Sequence, residues 1–233
     1  MKKAIVIGAS SGIGREVAIL LRQHGWTVGV AARRLDRLAD FDVAAQIDIT
    51  AEDAPERLAA LIERLGGMDL YFHASGVGRQ NRELHEDIEL QTVNTNGVGF
   101  VRMVGVAWRY MADHGGGHIA VISSIAGTKG LGPAPSYSAT KALQNTYIQA
   151  LEQLSNSRHL GICFTDLRPG FVDTDLLSGT HRYPLLMDKQ DVARSIVRAV
   201  ERRRHVQVID LRWRLVTALW RRIPRWLWRR LPL

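Results

Sequence analysis

Tyr137 and Lys141 stand four residues apart in the run Ser-Tyr-Ser-Ala-Thr-Lys, and together they could do acid–base chemistry. On a helix that spacing puts both side chains on one face. A free phenol ionises near ~10, and a fixed ammonium beside it favours the phenolate, so Lys141 is expected to lower the Tyr137 pKa toward the working range of a proton donor. A second constellation is the loop Ile7-Gly8-Ala9-Ser10-Ser11-Gly12-Ile13-Gly14. Its glycines let the backbone turn sharply and approach a pyrophosphate, and a helix N-terminus behind it would supply free N–H donors. Three glycines alone also suit a tight turn without a ligand, so their surroundings have to decide.

Those surroundings are apolar, β-branched runs that alternate with segments of helical spacing. The runs begin at residues 4 (AIVIGA), 27 (TVGVAA), 69 (DLYFHA), 118 (HIAVIS), 160 (LGICFTDL) and 205 (HVQVID), with a further strand ending near Asp48 in QIDIT. Strands apolar on both faces that alternate with helices predict a doubly wound α/β domain, its mostly parallel sheet of about seven strands covered on both sides. Helices are expected over 13–24, 52–65, 97–113, 137–156 and 190–203. The glycine loop then falls between the first strand and the first helix of a βαβ unit, the setting in which such a loop binds a dinucleotide.

The second strand ends Ala31-Ala32-Arg33-Arg34, without the acid that accepts hydrogen bonds from the adenosine ribose of NAD. A 2′-phosphate is expected against Arg33, with Arg34 beside it, which favours NADP(H) over NAD(H). Solvated surface arginines are the plainer alternative. Asp48 either approaches the adenine or caps a turn.

From Met1 to about Asp210 the chain resembles the short-chain dehydrogenases/reductases. The resemblance rests on Gly8-x3-Gly12-x-Gly14, Asn94 in TVNTNGV, Ser124 in VISSIAG, Tyr137-x3-Lys141, and RPGFVDT from Arg168 to Thr174, in the family's order and spacing. It implies one Rossmann-type catalytic domain over residues 1–210 that passes a hydride between nicotinamide and a carbonyl or secondary alcohol. Tyr137 would be the acid in reduction and the base in oxidation, and Lys141 would also hold the nicotinamide ribose. Ser124 would bond the substrate oxygen, with Ser123 on the opposite strand face, and Asn94 would anchor a water of the proton relay. Gly8, Ser10, Ser11, Gly12, Ile13, Gly14, Ala74 and Gly76 would surround the dinucleotide, and Pro169, Gly170, Val172 and Thr174 would line the nicotinamide. Taken singly, Ser124 reads as a strand terminator and Asn94 as a helix cap; only the set in order argues for catalysis. The resemblance also implies a dimer or tetramer through the helices around 99–113 and 137–156.

The pattern is broken after the fourth strand, where His73-Ala74-Ser75-Gly76 replaces Asn-Asn-Ala-Gly. His73 either supplies one lost hydrogen bond or is a satisfied core histidine, and the change keeps a second reading open: a cofactor-binding protein with weak turnover that senses redox state or tethers partners at a membrane. Residues 175–189 are expected to hold the substrate loop, with Leu176, Leu177, Tyr183, Leu185, Leu186 and Met187 as an apolar wall and His181 and Arg182 facing water or an acidic group. His114-Gly-Gly-Gly-His118 lacks a rigid platform and a carboxylate or cysteine partner, so no metal is expected.

The net charge of +8 is local. Residues 211–233 hold seven arginines and no acid, so the rest of the chain carries 24 basic and 23 acidic residues, or +1. That excludes a basic groove for nucleic acid on the folded body. The single cysteine, Cys163, precludes an intramolecular disulfide, reads as a buried thiol and suits the cytoplasm. The apolar stretch after Met1-Lys2-Lys3 is too short for a signal peptide, and no apolar run approaches the ~18 residues of a membrane span. The segment 211–233 is expected to be an amphipathic extension with Leu215, Val216, Leu219, Trp220 and Ile223 along one stripe. It would either lie on an anionic membrane surface, holding the protein peripherally on the inner face, or pack on its own domain or a partner subunit.

Overall fold

The structure, a computed structural model, describes residues 1–177 and 183–231; His181 and Arg182 lie outside the described residues, as does the Leu176 side chain. The chain runs β1 (Lys3–Ile7), α1 (Gly12–Gln23), β2 (Thr27–Ala32), β3 (Val43–Gln46), α2 (Ala54–Leu65), β4 (Leu70–His73), α3 (Glu86–Val93), α4 (Phe100–Asp113) and β5 (Gly117–Ile122). It continues through α5 (Pro135–Ser157), β6 (Ile162–Pro169), α6 (Lys189–Glu201), β7 (Val206–Ile209), α7 (Leu211–Arg222) and α8 (Arg225–Trp228). The seven strands form one sheet in the order β3-β2-β1-β4-β5-β6-β7, and every pairing is parallel.

The apolar runs work because alternate residues of a strand feed opposite faces. In β1, Ala4 and Val6 enter a core with Val17 and Leu21 of α1 and Val192 and Ile196 of α6. Ile5 and Ile7 enter the second core, with Leu58 and Leu61 of α2 and Met103 and Ala107 of α4. Between β1 and β4 the strand order reverses direction, which opens a crevice at the carboxyl ends of these strands. The glycine loop, the turn after β4 and the turn after β5 all lie there.

Two features depart from the pattern expected of the sequence. α3 and a π-helical turn over Asn94–Gly99 precede α4 where a single helix from residue 97 was expected. α3 shows no apolar stripe because it buries only Thr92. Cys163 is half-buried rather than buried.

The core also continues past Asp210. Trp213 of α7 is 3% exposed and belongs to the same cluster as α1 and α6. Asp210 starts the helix, its carboxylate accepting from the Trp213 N–H at 3.3 Å. No helix among the described residues is long and apolar enough to cross a membrane.

Candidate active site

The glycine loop is shaped by contacts that leave no room for side chains. Gly8 has φ +90°, and a Cβ there would lie 2.7 Å from the Ser75 nitrogen; at Gly14 it would lie 2.4 Å from the Gly8 oxygen and 2.9 Å from the Ala74 Cβ. The end of β1, the first turn of α1 and the segment after β4 therefore close on one another backbone to backbone. Ser11 leads into α1 without a side-chain cap, so the first N–H groups of the helix, around Gly12, Ile13 and Gly14, remain donors for an anion. A dinucleotide pyrophosphate fits this cradle.

At the adenosine end, Arg33 and Arg34 are both exposed. Arg34 is the one that turns to the loop, donating to Ser10 Oγ at 3.2 Å and Ser11 Oγ at 3.1 Å. Asp48 takes the turn role: its carboxylate accepts from the Thr50 N–H at 3.0 Å and the Thr50 hydroxyl at 2.8 Å. Burial alone would raise its pKa, but the Thr50 bonds and the nearby Arg33 charge bring it below the usual value.

At the other end of the crevice, Tyr137 lies in the first turn of α5 and Lys141 one turn on, both facing the end of β5. The Lys141 Nζ is 5.7 Å from the centre of the Tyr137 ring. Ser124, directly after β5, reaches the phenol with its hydroxyl, and its Oγ also accepts from the Ala126 N–H at 3.1 Å. Ser123 points away, its hydroxyl donating to the buried Asp166 carboxylate. Gly78 leaves space for the ring: a Cβ there would meet Tyr137 Cε2 at 2.8 Å.

The electrostatics correct one expectation. Burial raises the Tyr137 phenol above its ordinary value, and the opposing influence is the Ser124 hydrogen bond rather than Lys141. The ammonium is directed elsewhere, donating to the Ile122 carbonyl at 3.0 Å and to Gln144 Oε1 at 2.9 Å. Burial lowers Lys141 itself to about 8, with Asp166 pulling the other way.

The asparagine is also corrected. Asn94 is exposed. Asn96, two residues on, is fully buried. Its Nδ2 donates to the Val77 carbonyl at 2.7 Å, and its Oδ1 accepts from the Val77 N–H at 2.9 Å. The wider π turn moves the backbone by a fraction of a turn and carries Asn96, not Asn94, into the crevice. Gln144, which sequence reasoning passed over, completes the arrangement by donating to the Asn96 carbonyl at 2.8 Å while accepting from Lys141. A sequence signal for Asn96 existed in Asn96-Gly97-Val98-Gly99, because Gly99 has no space for a side chain: its Cβ would lie 2.9 Å from Ile49.

His73, at the end of β4, is fully buried. Its Nδ1 bonds the Tyr71 hydroxyl at 2.8 Å, and its Nε2 has no hydrogen-bond partner within reach. Burial, then the Lys141 charge, lowers its pKa to about 3, with the Ser75 backbone offsetting part of this. His118 bonds the Thr165 hydroxyl at 2.8 Å and is lowered to about 4, chiefly by burial; His114 instead stacks on Tyr110 at 4.0 Å. Below pH 6.5 the unfolded chain takes up protons that His73 and His118 refuse in the fold, so stability is lost on acidification. The loss by pH 5 is about 2 kcal/mol for each. Replacing His73 by Asn is expected to reduce the difference between urea-unfolding free energies at pH 7 and pH 5 by about that 2 kcal/mol.

The segment after β6 crosses back to the loop. Pro169 ends the strand, Val172 is buried and bridges to Met187, and a Cβ on Gly12 would meet the Thr174 methyl at 3.4 Å. Gly170 serves the tail as well, since a Cβ there would lie 2.2 Å from Trp213 Nε1. That nitrogen donates to the Leu185 carbonyl at 3.3 Å. Phe171 packs between Tyr183 at 4.8 Å and Trp213 at 5.5 Å, so aromatic contacts tie α7 to the segment after β6. Leu185 and Leu186 face outward.

Residues 2–183 match the short chain dehydrogenase family. An uncharacterised oxidoreductase of Myxococcus xanthus is 32% identical over 216 residues, covering 86% of this chain and 84% of that one. An uncharacterised oxidoreductase of Staphylococcus aureus is 29% identical over 224 residues, covering 90% of this chain and 95% of that one. In fold, the chain is similar to a putative short-chain alcohol dehydrogenase of Sinorhizobium meliloti, with TM-score 0.81 and 24% identity over 92% of this chain and 96% of that one. It is also similar to a variant of actinorhodin polyketide ketoreductase solved with NADPH, with TM-score 0.74 and 26% identity over 85% of this chain and 90% of that one. With the parallel sheet, the glycine cradle and Tyr137 beside Lys141 in one crevice, the chain belongs to the short-chain dehydrogenase/reductase family, the oxidoreductases that bind a nicotinamide dinucleotide.

Proposed function

We propose that this protein reduces a ketone or aldehyde on a lipophilic substrate, or oxidises the corresponding alcohol, with NADP(H). The observation that carries this reading is Tyr137, its phenol within the influence of the Ser124 hydroxyl and its ring centre 5.7 Å from the Lys141 Nζ, at the crevice end opposite the phosphate cradle. When bound, the nicotinamide supplies or accepts the hydride. Tyr137 holds the proton at the phenol oxygen and gives it to the substrate oxygen, Ser124 donates to the same oxygen as charge develops, and Lys141 is kept in place by Gln144 and the Ile122 carbonyl. The aromatic pair Phe171 and Tyr183 after β6 supports an apolar substrate. The ketoreductase neighbour solved with NADPH supports both the carbonyl and the cofactor. The exposed Leu143 and Leu154 of α5 support pairing with a second copy through that helix, and the single cysteine supports a cytoplasmic location.

NADP(H) preference rests on the absence of an acid at the end of β2 and on Arg34 beside Ser10 and Ser11. Arg34→Ala is expected to cut the ratio of NADH to NADPH dissociation constants about tenfold, and Arg33→Ala to cut it less. Titration of each protein with both dinucleotides, read by fluorescence, measures this; an unchanged ratio in Arg34→Ala removes the assignment.

A further inference from the structure

We propose that α7 and the residues after it dock the protein on an anionic lipid surface, through an outward stripe of leucines bordered by arginines. One apolar stripe was expected along this helix; the structure divides the apolar residues between two faces. Trp213 and Thr217 are buried, and Val216 and Trp220 pack behind them. Leu211, Leu215 and Leu219, at every fourth position, are 68%, 61% and 65% exposed. A helical residue advances by about 100°, so these three form a stripe on the far side from Trp213 and Trp220.

The leucines play no part in holding the tail on the body. That work falls to other groups: Trp213, Trp220 and Trp228 form an edge-to-face chain with centres 6.4 and 5.8 Å apart. Lys129 Nζ donates to the Ile223 carbonyl at 2.7 Å and Trp228 Nε1 to the Gly130 carbonyl at 2.8 Å. Held this way, α7 offers a fixed apolar stripe, and Trp226 beyond Pro224 is 59% exposed as well. Contiguous exposed apolar surface of this kind marks an interaction site.

Charge selects the occupant. Arg212, Arg214, Arg221, Arg222, Arg225, Arg229 and Arg230 share this segment with no acid; among the described residues Arg212 is ion-paired with Asp210 at 2.7 Å, and Arg222 donates to the Ala218 carbonyl at 3.2 Å. A second copy brought face to face would place like charges together. An anionic bilayer satisfies both chemistries: leucines enter the acyl boundary, Trp226 sits at headgroup depth, and the guanidinium groups meet lipid phosphates. The inference stands apart from the redox reading.

Because Trp213 belongs to the core, truncation at Asp210 would damage the fold, and point variants of the full chain make the better test. Flotation with vesicles of phosphatidylcholine plus phosphatidylglycerol, and with phosphatidylcholine alone, is the measurement. The parent is expected to float with the anionic vesicles and to be released by high salt. Leu215→Glu/Leu219→Glu, with its thermal transition unchanged, is expected to lose about tenfold or more of the bound fraction. A parent that stays at the bottom with anionic vesicles, a double variant that floats as well as the parent, or a sedimentation dimer that the double substitution dissolves without any vesicle binding, each overturns the proposal.

Discussion

Tyr137→Phe is expected to lower kcat for reduction of any accepted carbonyl by about 10³-fold while leaving NADPH affinity within about twofold. Phenylalanine keeps the ring that packs under Gly78 and over Lys141, and it removes only the atom that Ser124 reaches. A loss confined to kcat would identify an interaction made in the transition state, whereas a matching rise in KM would point to binding. Stopped-flow measurement of NADPH consumption, beside a fluorescence titration of the cofactor, separates the two. A variant that retains its rate would leave the phenol without a role.

The direction of the Tyr137 shift adds a pH signature. A phenol held above its ordinary pKa by burial remains protonated throughout the neutral range. Reduction, which needs that proton, is not limited by ionisation of the phenol until the alkaline range above the ordinary phenol value. Oxidation needs the phenolate and is expected to rise over the same alkaline range. Lys141, lowered to about 8, titrates first: loss of its charge makes the phenolate left by proton transfer less favourable, so reduction is expected to slow above about pH 8.

Most of this site could be read in the sequence because its parts are local. The glycine loop is a backbone motif whose space is set by Gly8 and Gly14, and Tyr137 and Lys141 are linked by one helical turn whatever surrounds them. What escaped depends on contacts between distant segments. The phenol's pKa is set by how deeply α5 is buried and by where the Lys141 donors go, and neither follows from a four-residue spacing. Trp213 belongs to the core because Gly170, 43 positions earlier in the chain, leaves space for an indole. The tail's helical period was visible, but a period does not say which of two apolar faces meets the body. The exposed leucines and the buried tryptophans have similar hydrophobicity, and contacts with distant residues such as Gly170, Phe171 and Leu185 choose between them.

The asparagine was misplaced for a related reason, and its correction carries the second large effect. Asn96→Ala is expected to lower kcat by about 10²-fold and to destabilise the fold by about 2–3 kcal/mol, while Asn94→Ala changes either by less than about 0.5 kcal/mol. Removal of the Asn96 amide leaves the half-buried Val77 N–H and carbonyl without their partner, so the segment from Gly76 to Gly78 loses its fixed position. Gly76 and Gly78 are the neighbours of Lys141 and Tyr137, so the disturbance reaches both groups. Asn94, which is exposed, leaves nothing buried behind when truncated. Urea denaturation and steady-state kinetics on the two alanine variants give the comparison. Equal losses in both, or a loss only in Asn94→Ala, would mean that the π turn does not carry the functional residue. Gln144→Leu supplies a check on the same chain of contacts: it removes the amide between the Asn96 carbonyl and Lys141. Its rate is expected to fall with a displaced alkaline limb in the pH profile, because a lysine freed of that bond no longer holds its proton at the same pH.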